Sequence, residues 1–416
     1  MQTFSRDNVV KTTLVFLLVG VSTMPMLKQQ YGVYLLLASA VFTLKELRLD
    51  KTALLFLLLT LGVELYHNFA FDGYDLKLTR TMMMMLIATI CIIYYVGLDL
   101  LPIYIKLLYY ASLISFVFVA LYHADSGLVT KIANAVPGMF VKTSITYGSE
   151  IKQANPFIYN FDANFLDLGR NNGPFWEPTV FATMLIIAQV FNLLLNKKLF
   201  NKQGIVFTLA IATTSSTTGF VAYFILILFY FLLSDRIRLA TKLILAGVIL
   251  AISIPLYTKL DFLSEKIQNE IDIADYEADK YGGDSRMASA ILDLREMSQQ
   301  NSYIFFGRGM DVNFRIEGPD KDVLRNCGDT ALLSEWGVIY TLIYLSLLFY
   351  SFLQLTREYG INRLFALVFT LIILVVSFSE VFFTLPFFLA FLFFGPIIKK
   401  QAHVEILDPY TDIQPA

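Results

Sequence analysis

Cysteine is nearly missing: the 416 residues hold two, Cys91 inside an apolar run and Cys327 in a polar segment. That excludes a disulfide framework, and neither the number nor the spacing suits a structural metal site. Histidine is as scarce. His67, His123 and His403 are too scattered to gather around zinc, so no metal and no other cofactor is expected. Charge is thin too, at 16% of the chain, and a net −2 gives no indication of a nucleic-acid partner, so none is expected. The first apolar run, about 9–26, ends in "STMPMLKQQ" without a small-residue cleavage site. A retained first helix is therefore expected rather than a removed signal peptide.

What fills the chain instead is apolar. Hydrophobic residues make up 56% and aromatics 15%, with a mean hydropathy of +0.62. Apolar runs of roughly 15–20 residues recur along the whole length, which is the pattern of helices that cross a bilayer. The sequence predicts an all-α, polytopic membrane protein with about twelve transmembrane helices. They lie near 9–26, 31–45, 52–69, 81–97, 102–123, 177–195, 204–215, 217–233, 240–256, 334–354, 364–382 and 384–398. The seventh and eighth are the weakest, because "IVFTLAIATTSSTTGFVAYF" turns at hydroxyl residues and a glycine rather than at charges.

Basic residues in the short loops orient the chain. Lys45, Arg48 and Lys51, then Lys197, Lys198 and Lys202, then Arg236, Arg238 and Lys242 follow even-numbered spans. So do Arg357 and Arg363, and Lys399 and Lys400. All fall on one side if spans seven and eight are separate helices, which puts both termini in the cytoplasm. Residues 124–176 and 257–333 then become two large extracytoplasmic loops, each too long for a mere connection. They divide the chain into N-terminal helices (1–123), central helices (177–256), C-terminal helices (334–398) and a cytoplasmic tail (399–416). No internal repeat is apparent, which counts against a transporter built from inverted repeats.

Three stretches carry candidate chemistry. In "GRNNGPFWEPTVFA" (169–182), Pro178 at the first helical position puts Glu177 near the cap and Trp176 at headgroup level. One reading is a well-built helix start, with a carboxylate on the positive end of the dipole. The other is a polar crevice, in which Glu177 takes a proton or orients a hydroxyl and Arg170 binds an anion. The second stretch lies in the large loop: Arg286, then Arg308 and Arg315, then Arg325, Asp329 and Glu335. Arginines bind phosphate through paired, charge-assisted hydrogen bonds, although the carboxylates among them also suit an ordinary ion-paired domain. Within this loop "DSRMASAILDLREMSQQN" predicts an amphipathic helix capped by Asp284 or Ser285, with Met287, Ile291, Leu294 and Met297 on one face. The third is "ATTSSTTGF" (212–220), six consecutive hydroxyl residues between apolar flanks. Glu64, Asp99 and Lys106 lie within or near spans, where ionisable groups are costly, and "LLPIY" between the last two reads as a turn. "GRG" at 307–309 lacks the strand–turn–helix context of a nucleotide loop.

Together these stretches resemble the bacterial O-antigen polymerase and O-antigen ligase superfamily, membrane glycosyltransferases of the GT-C type. The resemblance rests, in order, on "RNNGPFWEPTVFA", "TTSSTTGF", "DSRMASAILDLREMSQQNSYIFFGRGM" and "NCGDTALLSEWGVIYTLIYL", about residues 169 to 345. It implies a metal-independent, inverting transfer of a glycan from undecaprenyl pyrophosphate, on the outer face of the bacterial inner membrane. Arg170, Asn172, Arg286, Arg308, Arg325, Asn326 and Glu335 would contact substrate, and Glu177 or Asp329 would act as base. Two positions depart from the family's pattern. Thr217 stands where many relatives carry Arg, and Asn326 where many carry His. The missing His weighs against a ligase that transfers polymer to lipid A core. The expected activity is therefore a polysaccharide polymerase (O-antigen, capsule or exopolysaccharide) acting on the hydroxyl of another lipid-linked unit. A chain-length regulator is a possible partner, and a lipid-linked oligosaccharide flippase is the alternative of another class.

Overall fold

The structure is a computed structural model and describes residues 6–28, 30–41, 50–146, 149–162, 169–233, 285–315 and 325–407, with a few isolated positions between them. The chain is mostly helical. Among the described residues, Lys51–Ala70, Leu76–Ala124, Pro178–Asn196 and Gly328–Glu358 are long and apolar enough to cross a membrane. Shorter apolar helices include Thr217–Leu232 and Phe365–Ser377. The expected span at 240–256 and most of the loop up to 284 fall outside the described residues, as do 316–324 and the tail beyond 407.

The helices begin where short polar side chains can accept hydrogen bonds from first-turn amides. α1 (Arg6–Thr23) and α2 (Gln30–Val41) are followed by α3 (Lys51–Ala70), which Asp50 caps by accepting from Ala53 N at 2.7 Å. Asp75 does the same for α4 (Leu76–Val96). α4 ends at Gly97, whose φ of 59° turns the chain into a 3₁₀ turn (Gly97–Asp99) and then α5 (Leu100–Ala124). The turn expected at "LLPIY" thus lies a little earlier. Pro102 sits in the first turn of α5, where its missing N–H is not needed. Asp99 pairs with Lys11 at 2.8 Å.

The stretch after α5 departs from an all-helical chain. α6 (Ser126–Ala135) leads into a small antiparallel sheet, β1 (Val141–Thr146), β2 (Ser149–Ala154) and β3 (Phe161–Asp162), in the order β1–β2–β3. Val141 pairs with Ala154 and Ala154 with Phe161. Hydropathy does not reveal these strands because they are polar, "VKTSIT" and "SEIKQA". Tyr159, Phe161 and Val129 form the core of this unit against Phe118 and Leu121 of α5.

α7 (Pro178–Asn196) is the axis of the bundle. Every side chain from Pro178 to Leu194 is buried, packed by α5, α8 (Lys202–Thr214) and α9 (Thr217–Leu232). A helix apolar all round belongs in an interior. The Ser/Thr stretch is a tight hairpin between two helices. Ser215 takes a left-handed φ of 47°, and Ser216 caps α9 by accepting from Gly219 N.

α10 (Arg286–Gln299) is capped by Ser285, which accepts from Ala288 N at 3.0 Å. Its buried face is not the one its apolar residues predict. Ser289, Leu292, Asp293 and Glu296 point inward, while Met287 and Leu294 are exposed. The inward carboxylates find guanidinium partners, and those ion pairs outweigh the burial of two apolar side chains. α11 (Asn301–Phe306) follows, then α12 (Gly328–Glu358) and α13 (Phe365–Ser377). The last apolar segment is α14 (Pro386–Ala390), a 3₁₀ turn (Phe391–Phe393) and α15 (Phe394–Leu407).

α12 breaks at Gly337 (φ 76°, ψ 170°), a conformation reserved for glycine. The break frees the carbonyls of Ser334 and Glu335, which accept from Arg308 N (2.9 Å) and Gly309 N (3.0 Å). Gly307 and Gly309, both with positive φ, let that turn lie flat against the break; a Cβ on Gly307 would stand 2.2 Å from Glu335 O. The Gly-Arg-Gly motif is a docking wedge.

Candidate functional site

The segment 169–177 is gripped from three sides. Asn171 Oδ1 accepts from Gly173 N (3.0 Å), while its Nδ2 donates to Ser115 Oγ and Thr213 Oγ1 (both 2.9 Å). Gly173 has φ 51°, and a Cβ there would meet the Phe181 ring at 2.9 Å, so glycine is required twice over. The sheet unit supplies Asn155 and Asn160, whose side-chain amides donate to the carbonyls of Pro174 (2.8 Å) and Phe175 (2.9 Å). Trp176 N donates to Thr23 O at the end of α1, and Lys28 lies 3.6 Å from the Trp176 ring centroid.

Glu177 and Pro178 take the cap and first helical positions as expected. The Glu177 side chain, however, makes no cap hydrogen bond, and its Oε1 is buried without a hydrogen-bond partner. The carboxylate is turned away from the helix it opens. It meets Glu380, in the turn between α13 and α14, and the two carboxyls share a hydrogen bond.

The Glu380 turn is built from four directions. Arg286 Nε, at the first position of α10, donates to Ser379 O at 3.2 Å. The hydroxyls of Thr218 and Ser379 are hydrogen-bonded. Gly328, opening α12, lies so close that a Cβ there would stand 2.3 Å from Glu380 O. Glu380 N itself donates to Ser377 O. Opposite, Arg170 Nε donates to Thr214 O at 3.1 Å.

Two guanidiniums, two carboxyls and an ammonium therefore meet at one end of the bundle: Arg170, Arg286, Glu177, Glu380 and Lys28. Burial, followed by the charge and hydrogen bond of Glu177, raises Glu380 well above the ordinary carboxylate value, with Lys28 and Arg286 opposing. Burial also lowers the Arg170 guanidinium, with Glu177 opposing and Arg286 adding to the shift. An arginine stays cationic through any such change. Several polar atoms near these segments are buried without a hydrogen-bond partner: both side-chain atoms of Asn172, Thr217 Oγ1, Asp329 Oδ1 and Ser377 Oγ.

The remaining sequence candidates divide differently. Arg308 and Arg325 do not join Arg170 and Arg286. They enter a second, fully buried network. Arg308 pairs with Glu296 and lies 3.7 Å from Glu335; Arg325 pairs with Asp293 (2.7 Å) and Glu296 (3.0 Å). Thr330 Oγ1 donates to Asp293, and Asn326 contributes its backbone N–H to Ser289 Oγ. The structure thus brings Arg308, Arg325 and Glu335 together in a network separate from Arg170 and Arg286. In a dry interior each guanidinium settles on the carboxylates beside it, which brace α10 and the 307–309 turn against α12. Asp329 is one residue from the glycine packed on the Glu380 turn, so it borders the first cluster. Glu64 accepts from Thr79 on the neighbouring helix.

Lys28 and Glu380 are absent from the sequence candidates. Glu380 had a signal: "SFSEVFFTLP" sets one carboxylate in a long apolar stretch, the pattern that draws attention to Glu64. Lys28 had none, because a lysine after a hydrophobic run is ordinary. Among the described residues no three His, Cys, Asp or Glu side chains form a set that could hold a metal. No protein-family model matches the chain, and no curated protein matches it.

Proposed function

We propose that this protein is a polysaccharide polymerase, transferring a glycan from undecaprenyl pyrophosphate to the hydroxyl of a second lipid-linked unit at the outer face of a bacterial inner membrane. The observation that carries the proposal is the meeting of Arg170, Arg286 and Glu177, from segments far apart in sequence, beside the orphaned polar atoms of Asn172, Thr217 and Asp329. A pyrophosphate leaving group needs cations, and a glycan needs hydroxyl and amide partners. The acceptor needs a base. All three lie together.

In the reaction the acceptor oxygen attacks the anomeric carbon as the bond to the phosphate oxygen breaks, inverting that centre. The electron pair leaves on the pyrophosphate, where Arg170 and Arg286 stabilise it. Glu177, free of its helix cap, takes the hydroxyl proton. Topology supports the assignment. Lys11, Lys197, Lys202, Arg357 and Lys400 lie at or near helix ends opposite the crevice, so the bias of basic residues to the cytoplasm turns the crevice outward. The same rule puts both termini in the cytoplasm and is consistent with about twelve spans.

A ligase would use the same leaving group, but Asn326 offers no base. A flippase would line a path through the bundle with cations, whereas the crevice collects them at one end. Deleting the gene and analysing lipid-linked glycans separates the three. A polymerase leaves single repeat units on the outer leaflet; a ligase leaves long lipid-linked polymer; a flippase leaves units on the inner leaflet. Arg286→Ala and Glu177→Gln should each abolish chain extension at normal protein level, and normal chain lengths in both would refute the site. A chain-length regulator acting on this polymerase would change polymer length without changing that result.

A further inference from the structure

Glu380 has no part in the resemblance that motivates the functional reading, yet its surroundings are the most constrained of the crevice. Both sides of its backbone are held: Ser379 by Arg286 and Thr218, and the Glu380 carbonyl by the close approach of Gly328. A turn fixed in this way directs one carboxyl at another. Two carboxylates in contact cannot both be ionised without strong repulsion, so one proton stays between them.

Resting on the polymerase reading, we infer that Glu380 is a positioning residue for Glu177: as a neutral carboxylic acid it donates a hydrogen bond to the Glu177 carboxylate and holds it toward the acceptor hydroxyl. The upward shift of Glu380 and the buried Oε1 of Glu177, with no hydrogen-bond partner of its own, agree with this division of roles. The charged groups that face the pair are Lys28 beyond α1, Arg170 before α7 and Arg286 on α10. Lys28 and Arg286 oppose the shared proton, and burial together with the contact with Glu177 retains it; a second negative charge would repel the donor pyrophosphate.

The proton balance is closed. The pair begins with one proton, and the acceptor O–H gives up a second as its oxygen bonds to the anomeric carbon. The C–O bond to pyrophosphate breaks with its electrons going to the phosphate oxygen. The neutral pair then returns one proton to water.

The test uses purified full-length protein with a lipid-linked repeat unit, comparing wild type with Glu380→Gln, Glu380→Ala and Glu177→Gln. Glutamine keeps a neutral donor, so Glu380→Gln should retain kcat within about an order of magnitude. The wild type should fall in rate at alkaline pH, where the pair becomes a dianion, and Glu380→Gln should lose that fall. Glu380→Ala should lower kcat about 10²-fold through misplacement of the base, with KM little changed. Infrared spectra of protein labelled with ¹³C-glutamate should show, at neutral pH, a protonated-carboxyl band that Glu380→Gln removes. The inference is overturned if Glu380→Gln is as inactive as Glu177→Gln, if Glu380→Ala has the wild-type kcat and pH profile, or if the band is missing while extension proceeds. A wild-type protein that shows the band but does not extend the units overturns the functional reading, and this role with it.

Discussion

Arg308→Met separates the two groups of arginines. Arg308 is 0% exposed and contacts Glu296, Gly309 O (2.7 Å) and Glu335 (3.7 Å). Methionine fills much of the volume but leaves Glu335 without its guanidinium and Glu296 with Arg325 alone of the two. Removing one partner of a buried ion pair costs about 3–5 kcal/mol, because the remaining charge keeps its desolvation penalty. That is roughly two to three and a half powers of ten in the unfolding equilibrium. Arg286→Met is the control. Arg286 is half-buried and its charged guanidinium holds a backbone carbonyl, so its loss should cost less, about 1.5–3 kcal/mol. Thermal or denaturant unfolding of both variants in the same detergent, followed by Trp fluorescence, gives the comparison. The reasoning is refuted if Arg308→Met unfolds like wild type while chain extension is lost. Arg308 would then be a substrate contact and the network incidental.

Glu177→Gln should unfold within about 0.5 kcal/mol of wild type, because no cap hydrogen bond is lost, while extension falls about 10²–10⁴-fold; a large loss of stability would return Glu177 to a capping role. Gly337→Ala should cost at least about 1–3 kcal/mol from backbone strain alone, with the added Cβ only 2.3 Å from Phe305 O, and unfolding of the variant in detergent measures it. Asp293, held above its usual value by burial despite Arg325, contributes most to stability below the ordinary carboxylate pKa. That contribution declines as pH rises through its folded value, and Asp293→Asn should flatten this part of the stability–pH curve.

Much of the cluster around Glu177 was legible because its parts carry local chemistry. Pro178 announces a helix start and Ser285 a cap, and each was found where expected. Arg170, Glu177 and Arg286 were candidates on their charge and on the motifs they share with the family the sequence resembles. The orientation of α10 was not legible, since its apolar residues suggest one buried face and its carboxylates occupy another. Which face wins depends on Arg308 and Arg325, which come from elsewhere in the chain. The polar strands at 141–154 went unseen because they have neither an apolar alternation nor helical spacing.

Composition and apolar periodicity are properties of neighbours in sequence. They therefore determined the helical character of the chain and the presence of helices long and apolar enough to cross a membrane, and they marked where polar chemistry interrupts them. Partnership is a property of distance. Glu177 could be a cap or a site until the fold turned its carboxyl away from α7 and onto Glu380. Arg308 and Arg286 look alike in sequence, yet one is enclosed by carboxylates and the other holds the backbone of the Glu380 turn. Only the packing of α1, α7, α10, α12 and α13 at one end of the bundle made that distinction, because the energy of a charge depends on what lies within a few ångströms of it.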